Sequence, residues 1–535
     1  MISRLQCLVL MLGFFLSSQG LPAATGKLRF DVVVYGATPS GIIAAIAAAR
    51  DGLHVALVEP GGHIGGMVAS GLSHTDRGNV GTIGGIPREF FTNVGHHYDE
   101  TVEWNFEPHV ASQVFTDMIL QAHVSMFLRQ RLRRPDGVVK NGARIAKIAM
   151  EDGTSFEAAE FVDGTYEGDL MDEAGVANRW GRESAAEYDE SLAGVLATQR
   201  LDLQFRVKAS PYAADGSVLP LVSALPKGTL GQADKKIPSY NFRLCLTTDK
   251  SDQIPYPKPE GYDAREYELL ARYLPALESA RGRPLVMSDV FLMERLKNGK
   301  WDTNNMGAIS TDYTGANWKF PTASYQERSA IFEQHVKYEE GLLYFLAHDP
   351  RVPVSLQVAV NSYGLAKDEF TDTRHWPWQL YIREDRRMIG EYVFTQHDAL
   401  ENITKPDSVG MGSYQLDSHN VQRVTTPDGA VENEGDYYVD TPPYEIPYRS
   451  IVPKAVDAIN LVVPVCMSAT HAAYGTIRQE PVYMILGQAA GTAAAIAFRE
   501  NRSLQDVPVP ELQAKLAAAH AVLHYSAAGQ RAAGQ

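Results

Sequence analysis

The chain has 535 residues, enough for about three domains of ordinary size. With 45% hydrophobic and 21% charged residues it has the composition of a globular protein with a large core, which excludes a disordered or fibrous chain. The net charge of −15 excludes nucleic acid as an expected partner, because neutralising phosphates takes clustered Lys and Arg.

Met1 to Ala24 reads as a secretory signal: Arg4 in a short basic start, an apolar core from Leu8 to Leu16, then small and polar residues ending at Ala23 and Ala24. That core is far short of the ~20 residues a bilayer span needs. No later segment reads as long and apolar enough to cross a membrane, so the expectation is an exported protein, periplasmic or secreted, with no span after cleavage. Cys245 and Cys466 are too few for a disulfide framework and lack metal-binding spacing, so no metal centre is expected.

The stretch from Phe30 to Gly66 has the order of a dinucleotide-binding unit. Val32, Val33 and Val34 form a β-branched run suited to a buried parallel strand. Gly36 turns the chain, and Pro39, Ser40 and Gly41 open a helix close against the sheet, with its free N–H groups aimed at a pyrophosphate. Ala44, Ala45, Ala48 and Ala49 line that helix. A second strand, Val55 to Val58, ends in Glu59, placed to accept from a ribose hydroxyl. Thr38 replaces the middle glycine of the GxGxxG pattern, so an ordinary βαβ unit with a glycine turn is the plainer alternative. Next, PGGHIGGMVASGL includes Gly65, Gly66 and Met67, where clustered glycines imply backbone pressed against something flat or bulky.

Val110, Val114 and Met118 recur at helical spacing in a helix from Pro108 to His123, followed by a strand from Val124 to Leu128. Turn signals at Pro135-Asp136-Gly137 and Asp152-Gly153 give a β-meander up to Phe161. The strand beginning FVDGTYEGDL then breaks into glycines and acids, among them Thr165 and Asp169, as strands do at the ligand crevice of an open sheet. The middle of the chain is read as a mixed α+β substrate domain. Its Trp301, Trp318, Trp376 and Trp378 are expected to be core residues rather than sugar platforms, and its segment Lys300 to Trp318 is expected to be irregular backbone. A small-residue helix, Ile485 to Phe498, is expected to begin at Gly487 after Pro481, with Gly487 and Gln488 as cofactor-binding candidates, and Glu511 to His524 to form a peripheral helix.

These blocks resemble the exported bacterial FAD-dependent oxidoreductases of the glutathione-reductase-like FAD/NAD(P)-binding superfamily, relatives of which are sometimes labelled xanthan lyase-like. GATPSGIIAA with EPGGHIGG, FVDGTYEGDL, YIREDRRMIGEY with MGSYQLDSHNVQR, and the long block from IPYRS to GTAAA carry the resemblance. It implies an α/β protein: a Rossmann-like FAD-binding domain with a parallel sheet and β-meander insertion, plus the substrate domain. The implied division is signal peptide 1–24, FAD-binding domain 27–192 with a return at 441–505, substrate domain 193–440, and a peripheral helix and tail 506–535. It implies FAD as cofactor, with adenosine and pyrophosphate on the N-terminal unit, FVDGTYEGD as the second contact loop and the C-terminal helix at the flavin ring. A helix N-terminus at Gly487 would set about half a positive charge near reduced flavin.

Oxidising an alcohol or amine at a flavin requires hydride delivery to the ring and a base for the departing proton. His419 in SHNVQR and His471 in SATHAAYGTIR are the candidate bases, each also readable as a structural histidine. If Gln415 to Asn420 is extended, Asp417 and His419 share a face, so the acid can set the histidine's charge. Arg478 is expected to place positive charge in the pocket. Arg387 is the candidate anion-binding residue of the run Arg383, Arg386 and Arg387, whose plainer reading is a solvated face paired with Glu384 and Asp385. The leading expectation is hydride transfer to FAD from a small organic substrate, a sugar or sugar acid among the options, with an unidentified electron acceptor as the further partner. A polysaccharide lyase and a non-catalytic glycan-binding protein are the alternatives.

Overall fold

A computed structural model describes residues 27–197, 200, 202–401 and 403–525. The expected signal sequence, Met1 to Ala24, lies outside the described residues. β1 (Lys27–Tyr35) carries Val32, Val33 and Val34 fully buried between two parallel neighbours, as β-branched side chains shielded on both faces favour. Gly36, at φ +99°, turns the chain into α1 (Pro39–Arg50). Pro39 suits the first helical turn, where its missing N–H costs nothing. Thr38 caps the helix: its hydroxyl oxygen accepts the Gly41 N–H at 3.2 Å. β2 (Val55–Val58) follows, and α2 (Pro108–Gln121) leads to β3 (Ser125–Phe127), parallel to β2.

β4 (Val138–Asn141), β5 (Arg144–Ala149) and β6 (Ser155–Asp163) form the expected meander. β6 has two roles. Its start pairs antiparallel with β5, while its full length runs parallel to β1, giving the order β3-β2-β1-β6-β5-β4.

A second sheet is antiparallel, with the order β9-β10-β7-β11-β8. It comprises β7 (Leu244–Thr247), β8 (Gln253–Ile254), β9 (Phe291–Arg295), β10 (Lys300–Asn305) and β11 (Gly364–Ala366). Lys300–Asn305, expected from its polar composition to be irregular, is thus a strand. Its charged side chains are neutralised inside the protein: Lys300 meets Glu107 and Glu369, and Asp302 meets Arg243. The helix α3 (Tyr325–His348), begun by a capping box of Ser324 and Glu327, lies between β10 and β11 in the chain.

The C-terminal part returns to the first sheet. β12 (Leu416–Ser418) pairs with Tyr437–Val439, and β13 (Leu461–Val462) adds in parallel to β6. α4 (His471–Ile477) and α5 (Glu480–Glu500) follow. α5 lies on α1 with backbones in contact: a Cβ on Gly487 would stand 2.2 Å from the Ser40 carbonyl oxygen, and one on Gly491 2.1 Å from that of Ala44.

Two expectations fail here. α5 begins at Glu480 with Pro481 in its first turn, so Gly487 is mid-helix and offers no free N–H. Glu480–Glu500 is also long and apolar enough to cross a bilayer, yet it is buried almost throughout as a core helix. Cys245 and Cys466 are buried and unpaired.

Candidate active site

The β1–α1 turn is shaped by backbone contact. A Cβ on Gly41 would lie 1.9 Å from the Gly36 carbonyl oxygen, and one on Gly36 2.8 Å from Thr165. Thr38 donates its hydroxyl to the Gly164 carbonyl at 2.5 Å, so the residue in the middle-glycine position ties the turn to the second loop. Glu59 accepts the Ala37 N–H at 2.7 Å and the Gly61 N–H at 2.6 Å, which holds its carboxylate at the end of β2. Among the described residues, the N–H groups of Thr38, Ser40 and Gly66 have no acceptor, and the buried Ser40 hydroxyl has no partner. Unpaired donors at a helix start beside a fixed carboxylate fit the ADP half of a dinucleotide.

Tyr166, which the sequence did not single out, links three segments on this side. Its hydroxyl accepts the Met67 N–H at 3.0 Å and donates to Glu480 at 2.5 Å, joining the glycine loop, the second loop and the start of α5. Burial pushes the Glu480 carboxyl up to about 8. Gly65 donates to the Ala37 carbonyl at 2.8 Å.

The same glycine loop runs on to a polar cavity of about 530 Å³. Gly71 makes the passage possible: at φ +107° it lies so close to β7 that a Cβ would stand 1.9 Å from the Arg243 carbonyl oxygen. His74 and Asp76 from this loop, Arg243 from β7, Asn304 and Asn305 from β10, and Asp417, His419 and Arg478 from the C-terminal part line it, with Tyr381, Tyr414 and Tyr438. Arg478 lies between α4 and α5, where its guanidinium donates to Asp417 at 2.9 Å and to the Tyr381 hydroxyl at 2.8 Å.

His419 borders the cavity with its Nδ1 2.7 Å from Asp312 Oδ2. Burial drives the Asp312 carboxyl up, but Arg383, 3.0 Å away, and His419 more than reverse this, so it stays ionised. An ionised carboxylate only accepts, which puts the imidazole proton on Nδ1 and leaves Nε2 with a lone pair and no partner in the described chain. Burial, assisted by Arg383, lowers the His419 pKa to about 4, so the ring is neutral at physiological pH. Asp417 does share the cavity wall with His419, as the strand alternation of β12 implies, but it binds Arg200 and Arg478. The carboxylate on the histidine is Asp312, more than a hundred residues away in the chain.

The other expected site residues do not line the cavity. His471, at the start of α4, bonds Glu384 through Nδ1 at 2.8 Å, and its Nε2 is sealed in the interior. Arg387 is fully buried and held by Glu183, Glu384 and the Gly181 and Ala469 carbonyls, so it is a structural ion-pair centre away from the cavity wall. The arginine run is not a solvated face: Arg383, Arg386 and Arg387 are all buried. Asp169 is held by Arg134, Arg328 and Arg386, and the Thr165 hydroxyl donates to Asp163 at 2.6 Å, so both brace the second loop. Gln488 accepts the Ile86 N–H at 2.9 Å, capping the helix Gly85–His96 rather than facing the β1–α1 turn.

A family model described as FAD dependent oxidoreductase matches residues 31–516. A search of curated proteins finds no match. Solved structures similar to parts of this chain include thioredoxin reductase of T. acidophilum, with 18% identity, 25% of this chain and 34% of that one covered, and a TM-score of 0.17. A flavin monooxygenase from Stenotrophomonas maltophilia shows 18% identity, 25% and 38% coverage and a TM-score of 0.19. OxyS anhydrotetracycline hydroxylase from Streptomyces rimosus shows 10% identity, 52% and 44% coverage and a TM-score of 0.24. The chain spans less than half the length of each, and likenesses this partial carry no substrate or mechanism across.

Proposed function

Since the chain belongs to the FAD dependent oxidoreductase family and takes FAD as its cofactor, we propose that it oxidises a small polar organic substrate, a sugar or sugar acid, in the cavity bordered by His419 and Arg478. When bound, FAD supplies the acceptor for the hydride that leaves a substrate carbon. The donors at Thr38, Ser40 and Gly66 and the carboxylate of Glu59 would hold its ADP half. His419 Nε2 takes the proton of the substrate hydroxyl on that carbon, so that hydride and proton depart together and a carbonyl forms. Asp312 fixes the tautomer in which Nε2 is the acceptor and neutralises the imidazolium that results. Arg478, pinned by Asp417 and Tyr381, puts a fixed cation beside the oxygen where negative charge develops.

What supports this reading is one observation: a neutral imidazole with an open nitrogen, oriented by a buried carboxylate, on the wall of the cavity. The composition of Met1 to Ala24 supports export, and an acceptor outside the chain completes the turnover. The test is colour. The purified protein should absorb as a flavoprotein and bleach without oxygen when given a sugar or sugar acid from a panel that also holds polyols and amines. A flavin that no sugar or sugar acid in the panel reduces would overturn the substrate class.

A further inference from the structure

The cavity alternates charge at short range. Arg243 forms a two-point pair with Asp302 through Nε at 2.8 Å and Nη2 at 2.7 Å, leaving Nη1 free toward the cavity. Arg200 is taken by Asp202 and Asp417, and Arg478 by Asp417. Asp76 stands apart. No arginine or lysine among the described residues forms an ion pair with it. Its Oδ1 accepts the Tyr414 hydroxyl at 3.2 Å, its Oδ2 has no hydrogen-bond partner among the described residues, and the side chain lines the cavity. Glu294 is a further carboxylate on the wall, 3.7 Å from His74 and, among the described residues, in no ion pair with an arginine or lysine.

These positions bear on ligand charge. A carboxylate ligand drawn to the free Arg243 nitrogen would meet Asp76 across the same space. An ammonium ligand drawn to Asp76 would meet Arg243 and Arg478, whose fields both reach that carboxylate. Charges of either sign are thus opposed at close range in a partly desolvated site. A neutral hydroxyl satisfies both groups at once, donating to Asp76 and accepting from Arg243. At the mouth, Tyr438 is 45% exposed with Arg200 4.9 Å from its ring centroid, a flat amphipathic surface against which the C–H face of a sugar ring can lie.

We propose that the cavity takes a neutral, polyhydroxylated sugar and that Asp76 grips one of its hydroxyl groups, selecting against sugar acids and amino sugars. This rests on reading the cavity as the substrate site. The experiment is calorimetric titration of the FAD-loaded enzyme with D-glucose, D-galactose and D-mannose and, in parallel, with D-glucuronate, D-galacturonate and D-glucosamine. At least one neutral sugar should bind, with its charged counterparts about tenfold or more weaker. Asp76→Asn should weaken that sugar by about tenfold, the scale of a lost hydrogen bond to a charged group, with flavin content unchanged. A charged sugar that matches or exceeds the best neutral one, no binding by any neutral sugar, or undiminished binding by Asp76→Asn would each overturn the proposal. The comparison of ligands on the unaltered enzyme holds even if the variant fails to fold. Leu292, on β9, also lines the cavity, and Leu292→Trp would fill it. Sugar binding that survives it refutes the cavity as the site, whereas binding lost in that variant but indifferent to ligand charge refutes only the substrate class.

Discussion

Replacing Asp312 by Asn changes one atom in size but reverses a proton. Asp312 faces Arg383 through Oδ1 at 3.0 Å and His419 through Oδ2 at 2.7 Å. An asparagine must turn its oxygen to the guanidinium, since two donors cannot face each other, so its NH₂ is left facing His419 Nδ1. That nitrogen then has to accept, and the imidazole proton moves to Nε2, the atom bordering the cavity. The base becomes a donor and its contribution is lost, typically 10²–10⁴-fold. The expected result is therefore a fall of about 10²-fold or more in the rate at which substrate reduces the flavin, followed by anaerobic stopped-flow absorbance. Substrate affinity and flavin content should stay within a few-fold. The unaltered enzyme should hold its reductive rate from neutral pH down to about 4, where His419 gains its proton. An undiminished rate in Asp312→Asn refutes the reasoning, as does a midpoint near the ordinary histidine value of about 6.5.

Gly41→Trp should yield protein without flavin, because even a Cβ there lies 1.9 Å from the Gly36 carbonyl oxygen; flavin measured at full occupancy would remove the pyrophosphate from this turn. Arg478→Ala takes away the Tyr381 contact and one of two arginines on Asp417, which Arg200 still neutralises, so the loss is that of a hydrogen bond to a charged group, about 1.5–3 kcal/mol. It should melt lower and reduce its flavin more slowly, with Arg478→Lys between, and no change in either quantity would refute the role. His335 is buried, with Nδ1 on the Ile331 carbonyl, and burial lowers its pKa to about 4. The unfolded chain, titrating near 6.5, binds the extra proton between those values. Stability is thus complete above about 6.5 and declines as pH falls toward 4, by about 3 kcal/mol for this group. Melting temperatures of His335→Gln across that window should fall less steeply than those of the unaltered protein, and equal slopes would contradict the assignment.

What the sequence disclosed was local. β1, the turn at Gly36, α1, β2 and the meander are each marked by contiguous periodicity or by turn residues whose backbone needs are particular to them. The start of α5 was within reach too: Pro481 belongs in a first helical turn, and that signal outweighs a glycine six positions later. The polar interior was not legible. Lys300 and Asp302 lie in a strand because partners distant in the chain neutralise them, and nothing near them in sequence shows it. His419 and His471 look alike as histidines in glycine- and serine-rich loops. What separates them is whether the second ring nitrogen meets a cavity or packed side chains, a property of the tertiary fold. The alternation of β12 placed Asp417 beside His419 correctly, but two arginines claim that carboxylate, and Asp312 arrives from another segment.

The contact of α5 with α1 reaches into biosynthesis. Ser40 and Ala44 are made 447 residues before Gly487 and Gly491, which cover them (487 − 40 and 491 − 44). β13 likewise reaches β6 only after some three hundred intervening positions have been made. Until then the nascent chain carries an open sheet edge and an uncovered alanine face, features that invite chaperone capture or misassembly. Loop closure over such separations is slow. The nucleotide fold therefore completes only once α5 has been made, cofactor uptake follows that step, and a chain cut short before Glu480 should be cleared rather than accumulate as a partial flavoprotein.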